Sequence, residues 1–147
     1  MWEWVKGMVG RKKFDDDPGK VIEAGGVFSK GIAAQLLIQF TGAGLDDPTS
    51  LAEDKLKFFC GYVAAFSDVM SQSVNGQAGG NLSQTVTVRV FQEFFGTERA
   101  RNLMQMTFEW MATDPPAFVE GMSTGGRDGN EFISRGMPNG LANYLRS

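Results

Sequence analysis

Histidine is absent from the 147 residues, and cysteine occurs once. Histidine is the usual general base near neutral pH and the commonest metal ligand. Without it, a Ser-His-Asp or Cys-His catalytic set cannot be assembled within one chain. Histidine-built zinc sites and the Glu-x-x-His sites of carboxylate-bridged metals are excluded as well. The lone Cys60 has no partner for an internal disulfide and lies in an apolar run, Lys57–Val63. A buried, inert thiol in a reducing, cytoplasmic setting is the expectation.

Other absences narrow the field further. The longest apolar run, residues 31–40, is interrupted by Gln35 and Gln39 and falls short of the ~20 residues of a membrane span. Glu3 and Lys6 stand where the apolar region of a signal peptide would lie, so no leader is expected. The net charge is −3 and no long basic stripe occurs, which argues against nucleic acid as a partner. What is present fits a folded protein: 42% hydrophobic and 21% charged residues place the chain outside the disordered class. A single domain of this length can bury a real core without metal or disulfides.

The punctuation is helical. Asp-Pro occurs at Asp17-Pro18, Asp47-Pro48 and Asp114-Pro115, each before a helix-compatible run. Aspartate accepts from the free N–H groups of a helix start, and proline suits the first helical position. Ser50 with Glu53 and Asp128 with Glu131 resemble capping boxes, and Asn81 and Thr97 are further candidate caps. A first element is predicted over 18–40, with Val21, Gly25, Phe28, Ile32 and Leu36 at helical spacing, and Leu37 and Phe40 widening the stripe. The pair Gly25-Gly26 makes a kink there an expectation.

A second element, 50–73, carries two apolar stripes, one through Phe59, Val63 and Phe66 and one through Phe58, Tyr62 and Val69. Its remaining face holds Asp54, Lys57, Gly61, Ala64, Asp68 and Gln72, and Asp68 reads as a solvated charge. Residues 82–91 alternate like a strand at Thr85–Val90, yet Leu82, Val86, Val90 and Phe94 recur every four residues. With no partner strand in sight, helix is the better reading. A fourth element, 97–111, carries Leu103, Met106 and Trp110 beside Met104, Phe108 and Met111; the methionines Met104, Met106 and Met111 read as core filling. Short helices are expected at 116–122, 130–135 and 138–145, with the glycine-rich stretch 121–130 as a loop. The fold class is all-α: a single-domain helical bundle of about five to seven helices, two or three of them long.

Several patterns resemble chemistry without its context. Gly121-Met122-Ser123-Thr124-Gly125 matches G-x-S-x-G, but neither a preceding strand nor a histidine accompanies it. A calcium loop registered on Gly129 would have Arg135 in place of the bidentate glutamate. Asp15-Asp16-Asp17 reads as a solvated acidic turn beside a helix start. No catalytic residue, metal ligand or cofactor site is predicted.

The unusual segment is 1–13, an amphipathic amino-terminal arm preceding a helical domain over 14–147. As a helix it places Trp2, Val5 and Val9 on one face with Trp4 and Met8 alongside, and adds the cations Lys6, Arg11, Lys12 and Lys13. Such a segment suits a partner's groove, a membrane interface, or its own domain. With twelve Phe, three Trp and eight Met, the composition predicts surplus apolar surface. The leading expectation is therefore a non-enzymatic protein-interaction module, an adaptor, inhibitor, immunity or assembly factor. Its partner would be another protein, a second copy, or both. The alternatives are peripheral membrane association through residues 1–13, and a carboxylate-based enzyme or small-ligand carrier using acids such as Glu93, Glu109 or Asp114.

Overall fold

The computed structural model describes residues 17–44, 51–76, 79–135 and 140–146. Among these the chain is all-α, with five helices and no strand: α1 (Pro18–Gly42), α2 (Glu53–Asn75), α3 (Gly80–Thr113), α4 (Pro116–Arg135) and α5 (Gly140–Arg146). The arm 1–13, Asp47-Pro48 and Ser50 lie outside the described residues.

Local chemistry explains most helix ends. Asp17 caps α1: its side chain accepts from the Lys20 N–H at 3.3 Å, with Pro18 at the first position. The Gly25-Gly26 pair does not break α1, which runs unbroken to Gly42. α2 stops at Gly76, whose φ of 75° suits glycine. Asp114 does not begin a helix as expected; it closes α3 in the left-handed region, φ 51°, and α4 starts two residues later at Pro116. The 82–91 segment is helical, and Gly96, at φ 81° and ψ 167°, kinks α3 between 80–95 and 97–113. Only glycine adopts that conformation readily.

The core is aromatic. Phe28, Phe40, Phe58, Phe59, Tyr62, Phe66, Phe91 and Phe118 are almost wholly removed from solvent. Phe59 is the hub, with ring centroids of Phe40, Phe94, Phe95 and Phe91 at 5.5–6.3 Å. Such tilted and edge-on pairs add to the area they bury. Around this centre, α1 packs beside the first half of α3, and a methyl built on Gly25 would lie 2.7 Å from Thr85 Cγ2.

One expectation fails outright. The stretch 121–130 is not a loop but the middle of α4. Gly121, Gly125 and Gly129 fall every four residues on the face that meets α2. A Cβ on Gly121 would strike the Phe58 carbonyl, and one on Gly125 the Tyr62 carbonyl. Gly61 of α2 answers them, since a Cβ there would strike the Phe118 carbonyl. The glycines that weaken an isolated helix here let two backbones touch, and the helix is maintained by that contact. For the same reason Gly61 and Ala64, expected on the open face of α2, are buried.

Candidate functional site

Two polar or open features stand out inside this frame: a buried hydrogen-bond chain, and a groove within the kink of α3.

The buried chain links four helices. Asp128 of α4 is 4% exposed. Its Oδ2 accepts from the Tyr62 hydroxyl at 2.7 Å and from the Gly140 N–H at 2.8 Å. The Tyr62 oxygen in turn accepts from Gln39 Nε2 at 2.9 Å, and Gln39 Oε1 accepts from the Ala142 N–H at 2.8 Å. Gln39 Nε2 also donates to Gln35 Oε1 at 2.8 Å. Asp128 is thus no cap for a helix beginning at residue 128; it caps α5, twelve residues away. Burial and the hydrogen bond with Asp128 push the Tyr62 hydroxyl well above its ordinary range. Both ends of α5 are therefore held: Tyr144 stacks on Phe58 at 3.7 Å, Lys55 donates to the Leu145 carbonyl at 3.0 Å, and Arg146 donates to the Gly42 carbonyl. Gln35 and Gln39, which interrupt the apolar run of α1, were the sequence signal for this chain. Reading them only as interruptions missed it.

The groove arises from the kink at Gly96. The two halves of α3 diverge from that residue, and the space between them is floored by α2 and α4. Near the apex it is bounded by Val88 and Gln92 on one half and by Thr97, Arg101 and Gln105 on the other, enclosing about 380 Å³. Met104 and Phe108 join it to a deeper cleft, also about 380 Å³, over Ala65 and Val69 of α2 and Met122 of α4. Ser83, Thr87 and Met111 bound that cleft, and Asp68 and Gly79 stand at its mouth. Asp68 is not simply solvated: its Oδ1 accepts from the Gly79 N–H at 2.6 Å, and Oδ2 from Gln72 at 3.1 Å. It ties the loop before α3 to α2. Thr87 donates to the Ser83 carbonyl of its own helix at 2.8 Å, so that hydroxyl is engaged.

The methionines expected as core divide between core and rim. Met104 and Met106 are half-buried, whereas Met111 is 39% and Phe108 46% exposed. Leu37, expected to widen the buried stripe of α1, is 57% exposed, and Ile38 beside it 69%. Leu37 borders a shallow cavity beside Glu93 and Phe94 of α3.

The remaining candidates do not assemble into a reactive centre. Glu93, Glu109 and Asp114 are exposed, and none of them lines the groove. Ser123 is exposed on α4, and the glycines of its G-x-S-x-G pattern serve the contact with α2. The residues of the notional calcium loop are helical. Among the described residues no group of three or more His, Cys, Asp or Glu is placed to hold a metal. Cys60 is fully buried, and burial pushes its thiol up to about 12, against the opposing hydrogen bond of Thr107 and charge of Arg99. No protein family, curated protein or solved structure matches the chain.

Proposed function

We propose that this protein is a non-enzymatic protein-interaction module that receives an apolar segment of its partner in the groove of α3. The supporting observation is the groove itself. It is concave, it is walled by Met104, Phe108, Met111 and Met122, and two of those side chains stay substantially exposed with no described helix over them. Methionine side chains re-pack around varied apolar surfaces, and a contiguous exposed apolar patch marks an interaction site. A cytoplasmic setting agrees with the one free thiol. The helices act as a single bundle in this reading, with Gly96 as the device that opens it.

The test is titration of the full chain with the neutral apolar dye Nile red. Saturable binding that Phe108→Glu and Met104→Glu each abolish, with far-UV circular dichroism unchanged, is expected. Binding that ignores both substitutions would remove the groove from the account.

Membrane association is the second reading, favoured by one feature of α1. That helix is long and apolar enough to cross a membrane by length and composition, though 44% of its most apolar window is buried. From Gly31 to Gly42 it carries no charge. Sedimentation with liposomes, with and without anionic lipid, separates this reading from the first. The carboxylate enzyme is the weakest alternative, because its candidate acids share no cavity.

A further inference from the structure

We infer that the groove of α3 is occupied by the chain's own amino-terminal segment, residues 2–13, so that a partner must displace it. Displacement by a partner presupposes the interaction reading above; occupancy by the segment does not.

Three observations converge on this occupant. The first is where the chain enters. α1 runs alongside the first half of α3 in the same direction: Gly25 meets Thr85, Gly26 meets Arg89, and Lys30 shares a pocket with Glu93. Asp17, at the start of α1, is therefore at the Gly79 end of α3, and that end is the mouth of the groove. From Lys13 to Asp17 the extended chain reaches about 13 Å, enough to pass the ~10–12 Å thickness of a helix.

The second is apolar match. Of the chain outside the described residues, only 1–16 carry aromatic side chains. Trp2, Trp4, Val5, Met8 and Val9 offer apolar side chains to Phe108 and Met111, which stay 46% and 39% exposed among the described residues. Each half of α3 borders the groove for about 20 Å, at 1.5 Å per helical residue, which is long enough for the whole of 2–9 in any regular conformation up to about 2.5 Å per residue.

The third is the order of charge. The groove carries Arg101 near its apex and Asp68 at its mouth. Entering at the mouth, the segment sets Arg11, Lys12 and Lys13 by Asp68 and carries Glu3 toward Arg101. Opposite charges meet at both ends in this direction and like charges meet in the reverse one. Juxtaposed like charges are a common means of excluding a wrong orientation.

The experiment uses the full chain carrying Trp110→Phe, which leaves Trp2 and Trp4 as the sole indoles. Their emission is expected to be blue-shifted and shielded from iodide, equally at low and high protein concentration. Phe108→Glu should shift the docking equilibrium at least about tenfold toward exposure, because it sets a carboxylate in the apolar contact. Arg101→Glu should shift it roughly two- to fivefold, and Glu3→Arg should restore it in that background. If Trp110→Phe unfolds the chain, 19F NMR of the unsubstituted protein labelled with 5-fluorotryptophan reads the same shielding.

Indoles that are freely quenched, or that ignore both groove substitutions, overturn the proposal. Shielding that grows with protein concentration assigns the groove to a second copy and overturns it too, as does shielding that appears only with anionic vesicles. Nile red binding separates the two claims. Dye held by the groove of a Trp2→Ser/Trp4→Ser chain no better than by the parent overturns occupancy and leaves the interaction reading intact. Dye held by neither ends both.

Discussion

Two helices cover α2, and they do so in different ways. Along α4 the contact residues are glycines four apart, and the backbones meet so closely that no Cβ fits at Gly61, Gly121 or Gly125. Along the second half of α3 the side chains beside α2 include Met104 and Phe108, and a cleft of about 380 Å³ persists between them. Both segments are helical and both are anchored by buried apolar side chains, Phe118 and Phe132 on α4 and Ala100 and Leu103 on α3. The difference lies in side-chain volume and in the kink. Glycine lets main chain pack on main chain, which leaves nothing for a ligand to enter. Long flexible side chains, on a helix turned aside at Gly96, keep two walls apart. Rigidity and receptivity thus sit on adjacent faces of one helix.

That contrast is sharpest at the glycine seam. Gly125→Leu forces a side chain into the Tyr62 carbonyl and is expected to cost about 3 kcal/mol or more, seen as a lower melting temperature by circular dichroism. The equivalent enlargement on the open face, Ala65→Leu, should cost far less and fill the groove. Similar losses for the two would erase the distinction drawn here.

The buried chain comes next. Asp128→Ala leaves the Tyr62 hydroxyl and the Gly140 N–H without their acceptor, at roughly 1–3 kcal/mol for each group. Amide exchange should accelerate first in 140–146, since α5 has only seven residues and depends on that cap. Uniform acceleration across all helices would show that α5 is not separately latched.

Gly96→Ala tests the origin of the groove. A Cβ at φ 81° and ψ 167° costs about 1–3 kcal/mol. Relief by straightening α3 would swing its two halves apart and abolish the groove between them, so Nile red binding should fall together with stability.

Alkaline pH probes the closed side. The Cys60 thiol titrates at about 12 in the folded chain and near 8.5 when unfolded. The folded state then binds the extra proton, so stability should fall as pH rises above about 8.5, by up to about 1.4 kcal/mol per pH unit. Tyr62 adds to the loss above pH 10, its unfolded value, by the same sign. Cys60→Ala should flatten the first part of that slope in denaturant titrations.

The smallest effect is expected at the rim. Phe108→Ala removes a side chain that is 46% exposed and should change stability by no more than about 0.5 kcal/mol, while weakening dye binding measurably.

Periodicity and punctuation in the chain were enough to specify helices, the Asp17 cap, a boundary before Thr97 and the burial of Phe59, Tyr62 and Cys60. These follow from local rules: one residue's propensity, one cap, one stripe every three to four positions. The glycines of 121–129 were misread because a local rule sees only the entropy cost of glycine. Their benefit exists only when a second backbone arrives, and that backbone is sixty residues away. Asp128 was misread likewise, as a cap for its own segment, because its true partners at Tyr62 and Gly140 are brought to it by folding. The groove belongs wholly to tertiary structure. Met104, Phe108 and Met111 have the spacing of core residues, and what left them at a rim is the direction α3 takes after Gly96, a matter of packing geometry that no stripe of side chains encodes.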